Sequence, residues 1–598
     1  MFLGVLFMGA WGAWALLKTP LDAIPDLSDV QVIIFTEWPG RSPDLIEDQI
    51  TYPLITSMIA APRTNYVRGV TSFGVSYVYI NFEDGTDLYW ARSRVLEYLS
   101  KIRGTLPRGV NPILAPDATG VGWVFEYALV DESGRNNLAE LRSLQDWKIK
   151  YWLESTPGVA EVASVGGFVK QYQVVVDPEA LMAYRLPLQK LIYAIRRSNN
   201  DVGGRVVEFA GTEYIVRGRG YIKGIADIEN VPLGAKNGTP VFVKDVARVT
   251  LGPDIRRGIA ELDGKGEVVG GIVVMRYGEN ALQVIDRVKQ RLKEIESSLP
   301  EGVKIVTTYD RSDLIRRAID TLRGTLLEEA VIVSLVVILF LFHFRSALVV
   351  ILVLPIGVLL SFIPMFYMKV TSNIMSLGGI AIAIGAMVDA SIVMVENAHK
   401  RLEHAGGKED RVHVIVEAAK EVGKPLFFSL LIITVSFLPI FTLEGQEGRL
   451  FKPLAFTKTF AMFFAALLSI TLGPVLMVLL VRGRIRPESR NPLSRGLIFI
   501  YRPIVKLVLR FRRATVILAA WALLLTVPVF QRLGSEFMPP LNEGTILYMP
   551  GTLPGISITE AGRLLQLQNK VFKTFPEVGR VFGKIGRSTS ATDTAPLN

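Results

Sequence analysis

The sequence predicts a polytopic α-helical membrane protein that carries a large α+β extramembrane region of ferredoxin-like, split βαβ type. The first observation behind this fold class is composition: of the 598 residues, 50% are hydrophobic and 20% are charged. Such a chain is too apolar for a soluble protein and too charged to lie wholly in a membrane. The second observation is that apolar runs of membrane length alternate with long amphipathic stretches. We therefore expect membrane helices and water-exposed domains in one chain.

The first apolar run, residues 2–17, is predicted as the first membrane span, although it is slightly short of the ~20 residues that a bilayer requires. No basic segment precedes it, and no convincing small-residue cleavage site follows, so the run is not typical of a signal peptide. We expect that the start of the protein is missing.

Residues 18–325 are predicted to form one extramembrane region with two βαββαβ units. Residues 18–115 make the first unit, and residues 116–169 together with 256–325 make the second. Residues 170–255, rich in Gly and β-formers, interrupt the second unit and are expected to be a docking-type insertion, because such insertions commonly contact other chains. In the first unit the predicted elements are strand 30–35, helix 43–60, strand 76–82, helix 87–106 and strand 110–114.

Residues 326–481 are predicted to hold the second to sixth spans, and residues 514–531 the seventh. The connections 397–424 and 482–513 are basic, so the positive-inside rule predicts that both are cytosolic. In the second of these connections Glu488 is the only acid, and aliphatic residues alternate with bases as in an interfacial helix. The large region 18–325 then lies outside the cytoplasm. The five spans predicted within residues 326–481 are 328–343, 346–368, 374–396, 425–443 and 454–481.

The segment after the seventh span resembles the segment after the first. LDAIPDLSDVQVIIF is matched by GSEFMPPLNEGTILYM, with Pro25 and Leu27 corresponding to Pro539 and Leu541. Six spans separate the copies, so they share one orientation and form a parallel repeat. Residues 532–598 are therefore predicted to begin a second extramembrane repeat, in a fragment of a protein nearly twice as long.

Asp389 is the ionisable residue that lies deepest in any apolar run. A charged side chain there costs at least ~2.5 to 3.5 kcal/mol, so such an acid usually serves a function and faces a partner or a water path. At helical spacing, Gly378, Ala381 and Gly385 share its side, and small residues in that pattern mark close helix packing. We expect Asp389 to point into a helix bundle, and packing neutralisation by a neighbouring helix is the alternative to a functional role.

Composition also excludes several functions. The net charge of +10 is concentrated in loops beside membrane runs, which the positive-inside rule explains, so no nucleic-acid partner is implied. Cysteine is absent, which excludes disulfides and thiolate metal sites. No GxxxxGK[ST], HExxH or GxSxG motif occurs, so the sequence predicts neither ATP as the energy source nor an enzyme. No cofactor is expected.

Four long motifs resemble the heavy-metal branch of the resistance-nodulation-division (RND) efflux permeases: GGIAIAIGAMVDASIVMVEN, EGQEGRLFKPLAFTKTFAM, DGTDLYWARSRVLE and PDATGVGWVFEYAL. Multidrug members carry two adjacent acids in the fourth span, whereas here Ala390 follows Asp389, as in the copper/silver pumps of the metal branch. The resemblance implies the RND fold with periplasmic porter subdomains, a bacterial inner-membrane location and a homotrimer. It also implies a tripartite pump with a periplasmic adaptor and an outer-membrane channel.

The resemblance further implies site residues. Asp389 matches the proton-carrying acid, and Met549 matches one of three methionines that bind the ion in the periplasmic cleft. Met549 is predicted to end a strand, where the first copy has Phe35. For the methionines in the predicted spans, the alternative role is packing or contact with lipid. The family has a further methionine in the cleft region above the membrane, and Ile255 stands at that position here. The residues that match a stepwise methionine path are Met375, Met387, Met394, Met462 and Met477.

The expected function is proton-driven export of Cu(I) or Ag(I), because thioethers select soft monovalent ions. A divalent exporter for Zn, Co, Cd or Ni is the alternative, and it would require His or carboxylate ligands in the cleft.

Overall fold

The computed structural model describes residues 2–236, 238–341, 343–405, 410–482, 492–536 and 544–597. Two β-sheet units and an insertion precede a group of long apolar helices. Glu488, Pro539 and Leu541, on which parts of the sequence prediction rest, lie outside the described residues.

The first sheet unit is a four-stranded antiparallel sheet with the strand order β2-β3-β1-β4. Its helices cover one face, and their apolar residues pack with those of β1 and β3 in one cluster that includes Ile34, Leu54 and Val95. Asp87 begins α4 by accepting a hydrogen bond from the Trp90 backbone N–H at 2.8 Å. The elements, in chain order, are α1 (Phe2–Lys18), β1 (Gln31–Glu37), α2 (Pro43–Ile46), α3 (Tyr52–Met58), β2 (Thr64–Ser72), β3 (Val75–Phe82), α4 (Leu88–Ile102) and β4 (Ile113–Leu114).

The second sheet unit is built around two long antiparallel strands, β5 (Trp123–Asp131) and β14 (Glu267–Met275), which are buried along most of their length. β15 (Val303–Asp310) pairs with the outer edge of β5, and β6 (Val159–Val165) pairs with the other edge of β14. Its elements before the insertion are β5 (Trp123–Asp131), α5 (Leu138–Leu144), α6 (Lys150–Glu154) and β6 (Val159–Val165).

The insertion begins on β7 and returns on β12, and these two strands pair in an antiparallel register. Its own small core surrounds Leu191 and Val243, while the hairpin β8-β9 is exposed throughout. Its elements are β7 (Lys170–Val176), α7 (Pro178–Tyr184), α8 (Leu188–Ser198), β8 (Val202–Phe209), β9 (Thr212–Gly218), α9 (Ile225–Glu229), β10 (Pro232–Lys236), β11 (Thr239–Phe242) and β12 (Ala247–Pro253). The second unit then resumes with β13 (Gly258–Leu262), β14 (Glu267–Met275), α10 (Ala281–Glu296) and β15 (Val303–Asp310).

Among the described residues, five helices are long and apolar enough to cross a membrane, and Leu3–Lys18 is a shorter apolar helix. The predicted span 454–481 is divided in the structure, because α15 ends at Ile470 and α16 begins at Leu472. Pro474 has no backbone N–H to donate to the carbonyl of Ile470, which weakens the helix at this point. The elements are α11 (Arg311–Leu341), α12 (Phe344–Tyr367), α13 (Ile374–Ala405), α14 (Arg411–Val435), α15 (Gly445–Ile470), α16 (Leu472–Leu480), α17 (Pro492–Arg510) and α18 (Arg512–Arg532).

The last described segment returns to the second sheet unit. After α19 (Ile558–Phe572), β16 (Phe582–Gly586) pairs antiparallel with β13. β13 also pairs with β14, so a strand that follows the last apolar helix extends a sheet built from residues far earlier in the chain.

Candidate functional site

The helix α13 carries both the predicted proton-carrying acid and three of the predicted methionines. Its start is fixed by reciprocal hydrogen bonds: the Ser376 backbone N–H donates to Asn373 Oδ1 at 3.0 Å, and the Asn373 N–H donates to Ser376 Oγ at 2.7 Å. This arrangement satisfies N–H groups that have no partner within the helix. The helix then runs for 32 residues, which fixes the faces on which its side chains lie.

Met387 and Met394 lie on one face, about 20° apart around the helix axis. Both are buried, at 1% and 2% exposure. The thioether of Met387 occupies a notch on α12, because a Cβ added to Gly357 would lie 2.4 Å from Met387 Cε and 3.9 Å from its sulfur. Glycine at this position therefore leaves room for the side chain of Met387.

Two further predicted methionines belong to the same apolar cluster. Met462 on α15 and Met477 on α16 are fully buried, and they join Met387 and Met394 in the core of the membrane helices. Met375, near the start of α13, is only partly buried. The cluster brings four of the five predicted path residues into one packed core, and packing alone accounts for burial of this kind.

Asp389 lies on the opposite side of α13, about 160° from Met387. Its side chain is exposed, and no hydrogen bond or ion pair is found for it among the described residues. A Cβ added to Gly378 or Gly385 would meet no atom within 4 Å. The expectation that this stripe packs into a bundle is thus not met in the described part of the chain, because α12, α14 and α15 pack on the other sides of α13. Lys458 does not reach Asp389, and its ammonium group lies 3.3 Å from the ring centroid of Phe437.

The helices α13 and α15 are in close contact at Gly379. A Cβ there would lie 2.3 Å from Thr457 Oγ1, which in turn donates a hydrogen bond to the Ser376 carbonyl at 2.8 Å. Only glycine allows this contact, so the helix that carries Asp389 is held tightly against α15.

Arg449, near the start of α15, joins this helix to the first sheet unit. Its Nη1 donates to Asp29 Oδ1 at 2.7 Å and to the Leu27 carbonyl at 2.8 Å, while its Nη2 pairs with Asp84. Asp84 also accepts from the Gly445 N–H at 3.0 Å. The hydrogen bond from Arg449 lowers the pKa of Asp84 below its usual value. These ion pairs connect residues more than 350 positions apart, and no local sequence signal points to them.

A second connection joins the sheet units to the membrane helices near α1. Arg311, at the start of α11, pairs with Asp22 at 2.8 Å, and both side chains are mostly buried. Burial raises the pKa of Asp22, although Arg311 opposes the change. The backbone N–H of Asp22 donates to the Ser372 carbonyl just before α13. The start of α13 is therefore tied to the segment between α1 and β1 as well.

Met549 is not on a strand, so this part of the sequence prediction is wrong. Residues 545–550 have no regular secondary structure, and the Met549 side chain is 80% exposed. In the first copy β1 is paired on both edges, by β3 and β4. No described strand pairs with 545–550, since β16 pairs with β13 instead, and an unpaired segment gains no strand hydrogen bonds.

A buried polar cluster, which the sequence did not indicate, lies between the sheet units. Burial raises the pKa of Glu126 on β5 to about 7, opposed by Lys584, while the charge of Asp593 raises it further. Lys584 Nζ pairs with Asp593 at 2.6 Å. From the same segment, Thr594 accepts a hydrogen bond from the Tyr79 hydroxyl of the first sheet unit at 3.2 Å. Residues after β16 therefore bridge both sheets.

Among the described residues, no group of three or more His, Asp or Glu side chains is arranged to hold a metal ion. That the thioethers bind a soft metal ion stays a prediction from the sequence.

Comparison with known proteins gives a consistent result over the whole chain. The model of the AcrB/AcrD/AcrF family matches residues 1–598. The cation efflux system protein CusA of Escherichia coli K12 is 57% identical over 604 residues, covering 100% of this chain and 58% of the relative. The putative cation efflux system protein SilA of Salmonella typhimurium is 56% identical with the same coverage.

More distant relatives and solved structures agree. The cobalt-zinc-cadmium resistance protein CzcA of Cupriavidus metallidurans is 36% identical, covering 100% of this chain and 57% of the relative. A crystal structure of a heavy metal efflux pump superposes with a TM-score of 0.84 at 30% identity, covering 100% of this chain and 57% of the pump. The chain thus spans somewhat more than half the length of the relatives it matches. These matches confirm the resemblance drawn from the sequence motifs: the chain belongs to the AcrB/AcrD/AcrF family and, within it, to the heavy-metal branch of the RND permeases.

Proposed function

We propose that the protein exports Cu(I) or Ag(I) as the inner-membrane permease of a tripartite pump, driven by protons that enter through Asp389. The observation that carries the proposal is the arrangement on α13, where buried thioethers occupy one face and the exposed acid occupies the opposite face. One rigid helix can then respond to a proton on one side and to a soft cation on the other.

Energy supply supports a proton-driven process. Moving one elementary charge through a membrane potential yields ~2.3 kcal/mol per 100 mV, and a tenfold concentration step of a solute costs ~1.4 kcal/mol. A proton gradient is therefore sufficient to export a monovalent ion, and the protein acts as a cation/proton antiporter rather than as an enzyme.

The contacts of α13 suggest how protonation reaches the extramembrane region. A change at Asp389 displaces α13, and the tight contact between Gly379 and Thr457 moves α15 with it. Arg449 then transmits the movement of α15 to Asp29 and Asp84 in the first sheet unit. In this proposal the sheet units are the porter subdomains on the periplasmic side, and residues 170–255 dock against neighbouring subunits of a homotrimer.

The remaining parts of the proposal follow from the family. A periplasmic adaptor and an outer-membrane channel complete the path, and the ion is released from a cleft that includes Met549. Export of divalent ions is the second candidate, because the relative named for cobalt, zinc and cadmium resistance is 36% identical. The higher identity to CusA and SilA, together with the buried thioethers, favours a soft monovalent cargo.

Methionine exchange tests the ion path against simple packing. Met387→Leu removes a thioether but preserves volume, so the folded state should lose less than about 1.5 kcal/mol. If Met387 contacts the ion, Ag(I) export from cells that lack other exporters should fall about tenfold, the effect of losing ~1.4 kcal/mol of ligation.

The matched control is Met365→Leu, which alters a fully buried methionine of the same apolar cluster that lies outside the predicted path. Equal export by both leucine variants would show that Met387 only packs in the helix core.

Asp389→Asn, measured in the same cells, should abolish export while Ag(I) binding persists. Unchanged export by this variant would contradict a proton-carrying role for Asp389.

A further inference from the structure

Two histidine rings meet at one serine hydroxyl where α12, α13 and α16 pack together. His343 caps the start of α12, and His399, near the C-terminal end of α13, is only 7% exposed. Ser346 Oγ lies 2.7 Å from His343 Nδ1 and 2.5 Å from His399 Nε2, and the two ring centroids are 5.5 Å apart. Imidazole nitrogens from two different helices therefore point at the same small polar group.

The hydrogen bonds of His343 indicate which of its nitrogens carries a proton. Its Nδ1 accepts from the Ser346 backbone N–H at 3.3 Å, so this nitrogen has a lone pair and no proton. Its Nε2 lies 3.2 Å from the carbonyl oxygen of Arg482, just after α16, and it must donate an N–H to that oxygen. His343 is thus a neutral imidazole whose lone pair points toward Ser346 and His399.

The hydroxyl of Ser346 cannot donate to both rings. It has one proton, so it pairs with two facing lone pairs only if one ring supplies an N–H of its own. When His399 instead holds its proton on Nδ1, both facing nitrogens carry lone pairs, and one of them has no donor. A monovalent metal cation at the position of the hydroxyl would bind both lone pairs at once, and rotation of Ser346 about χ1 would clear that position.

The histidine pair lies close in the fold to two of the buried thioethers. On α13, His399 follows Met394 by five residues, which is about 7.5 Å along the helix axis. Arg482, whose carbonyl oxygen contacts His343, likewise follows Met477 of α16 by five residues. The pair therefore lies just beyond these two methionines, at the end of the helices that leads into the basic connections predicted to be cytosolic.

We propose that His343 and His399 form an entry site for Cu(I) or Ag(I), in which the ion replaces the Ser346 hydroxyl and is bound by His343 Nδ1 and His399 Nε2. Imidazole is a suitable ligand for copper, and monovalent Cu(I) and Ag(I) accept two donors on opposite sides. Among the described residues no third His, Asp or Glu joins the pair, so a tetrahedral Zn(II) site is not formed there. This entry site presupposes the proposed soft monovalent cargo.

The charges around the pair suit a site that passes its ion onward. Arg345 follows closely on His343 in the chain, and Arg411 Nη2 donates to the Val478 carbonyl of α16 at 3.2 Å. Positive charge at this end of the helices opposes long retention of a cation. An ion that has to move on must be bound strongly enough to enter and weakly enough to leave.

The small number of histidines makes a direct measurement simple, because the sequence contains four. The chain is labelled with [15N]histidine and [13C-methyl]methionine, reconstituted in lipid nanodiscs and titrated with silver nitrate at neutral pH. We expect the signals of His343 Nδ1 and His399 Nε2 to shift together, at one common Ag(I) concentration. The signals of His404 and His413, which are exposed, should stay in place.

His399→Gln separates ligation from hydrogen bonding. The glutamine amide can still donate to Ser346, but it lacks the nitrogen lone pair that binds the ion. Because the loss of an outer-shell partner alone typically weakens a metal site by 10–100-fold, the loss of one of two ligands should weaken Ag(I) binding at His343 by at least about tenfold. Ser346→Ala, which removes the competing hydroxyl, should not weaken binding. The matched control is His404→Gln on the same helix, which should bind Ag(I) like the parent.

The methionine signals distinguish failure of the entry site from failure of the proposed cargo. Methionine shifts without shifts of His343 and His399 would overturn the entry site and leave the export proposal intact. If neither residue type responds to Ag(I), the proposed cargo and the entry site both fail. Equal shifts of all four histidines would indicate non-specific binding and overturn the entry site, as would a His399→Gln variant that binds Ag(I) like the parent.

Discussion

Glu126 is a carboxylic acid held in a β-sheet, where burial raises its pKa from the ordinary 4.5 to about 7. The protonated form therefore predominates in the folded protein at acidic pH. Below pH 4.5 Glu126 is protonated in both the folded and the unfolded state, so the stabilisation of the folded state by the neutral acid is fully present. Between about pH 4.5 and pH 7 the unfolded chain ionises first, so stability falls by an amount on the order of 3 kcal/mol.

Glu126→Gln should remove that pH dependence, because glutamine imitates the neutral acid. Thermal unfolding in detergent at pH 5 and pH 8 measures the effect: the parent should lose more stability between these values than the variant. Glu132→Gln, which alters an exposed acid paired with Lys304, serves as the control. Identical pH profiles for parent and Glu126→Gln would contradict a raised pKa.

At the residue scale, the sequence predicted the helix faces of the candidate site residues better than it predicted which elements surround them. Met387 and Met394 are seven residues apart, a spacing that predicts a shared helix face, and the structure places both on one buried face. The surroundings of Asp389 were not predictable, because they depend on which helices pack against each side of α13. Met549 was misplaced since a strand requires a partner, and pairing partners cannot be identified from one segment alone.

Arg449 connects two elements that belong to different parts of the fold, α15 and the first sheet unit. Arg449→Gln should break the ion pairs with Asp29 and Asp84. If α15 transmits movement, Ag(I) export should fall by more than the loss of folded protein accounts for. Because the two acids are nearly half exposed, the stability cost should be only about 1 kcal/mol.

A double-mutant cycle with Asp84→Asn isolates the pair. Export by Arg449→Gln and by Arg449→Gln with Asp84→Asn should be similar, because the second change removes a partner already lost. Additive losses in export would show that Arg449 and Asp84 act separately.

Element positions were predictable where hydrophobic periodicity is long. The predicted bounds of α12 and α18 agree with the structure within two residues, and the predicted start of α13 agrees as well. The helix α13 continues beyond its predicted end, to Ala405, because polar residues extend it past the apolar run. β2 was not located, because TNYVRGVTS contains an internal glycine and, as an edge strand, has no buried residue. The break at Thr471 has a local signal in Gly473 and Pro474, which the apolar character of the run concealed.

At the scale of the whole molecule, the pairing of β16 with β13 joins two segments that precede and follow the long apolar helices in the sequence. Glu261 of β13 is 1% exposed and accepts hydrogen bonds from Asn569 of α19 and from the Gly264 and Gly266 backbone. Pairing across so many residues carries no sequence signature, so only the three-dimensional structure could show it.

Asn569→Ala should leave the buried Glu261 carboxylate without its side-chain donor, at a cost of about 1–3 kcal/mol. Hydrogen exchange should show faster exchange at the amides shared by β13 and β16, while the amides of β1 and β3 should keep their protection. Equal acceleration in both sheets would indicate a global loss of stability and contradict a local role for this contact.

The long separation of β13 and β16 also has a consequence for biosynthesis. About 320 residues are translated between the end of β13 and the start of β16, which at 5–20 residues per second requires about 15–60 s. Throughout that interval one edge of the nascent sheet has no neighbour and is open to association with other polypeptides. A chaperone that shields this edge during synthesis, or rapid delivery of the later segment, would decide how much newly made protein reaches its native form.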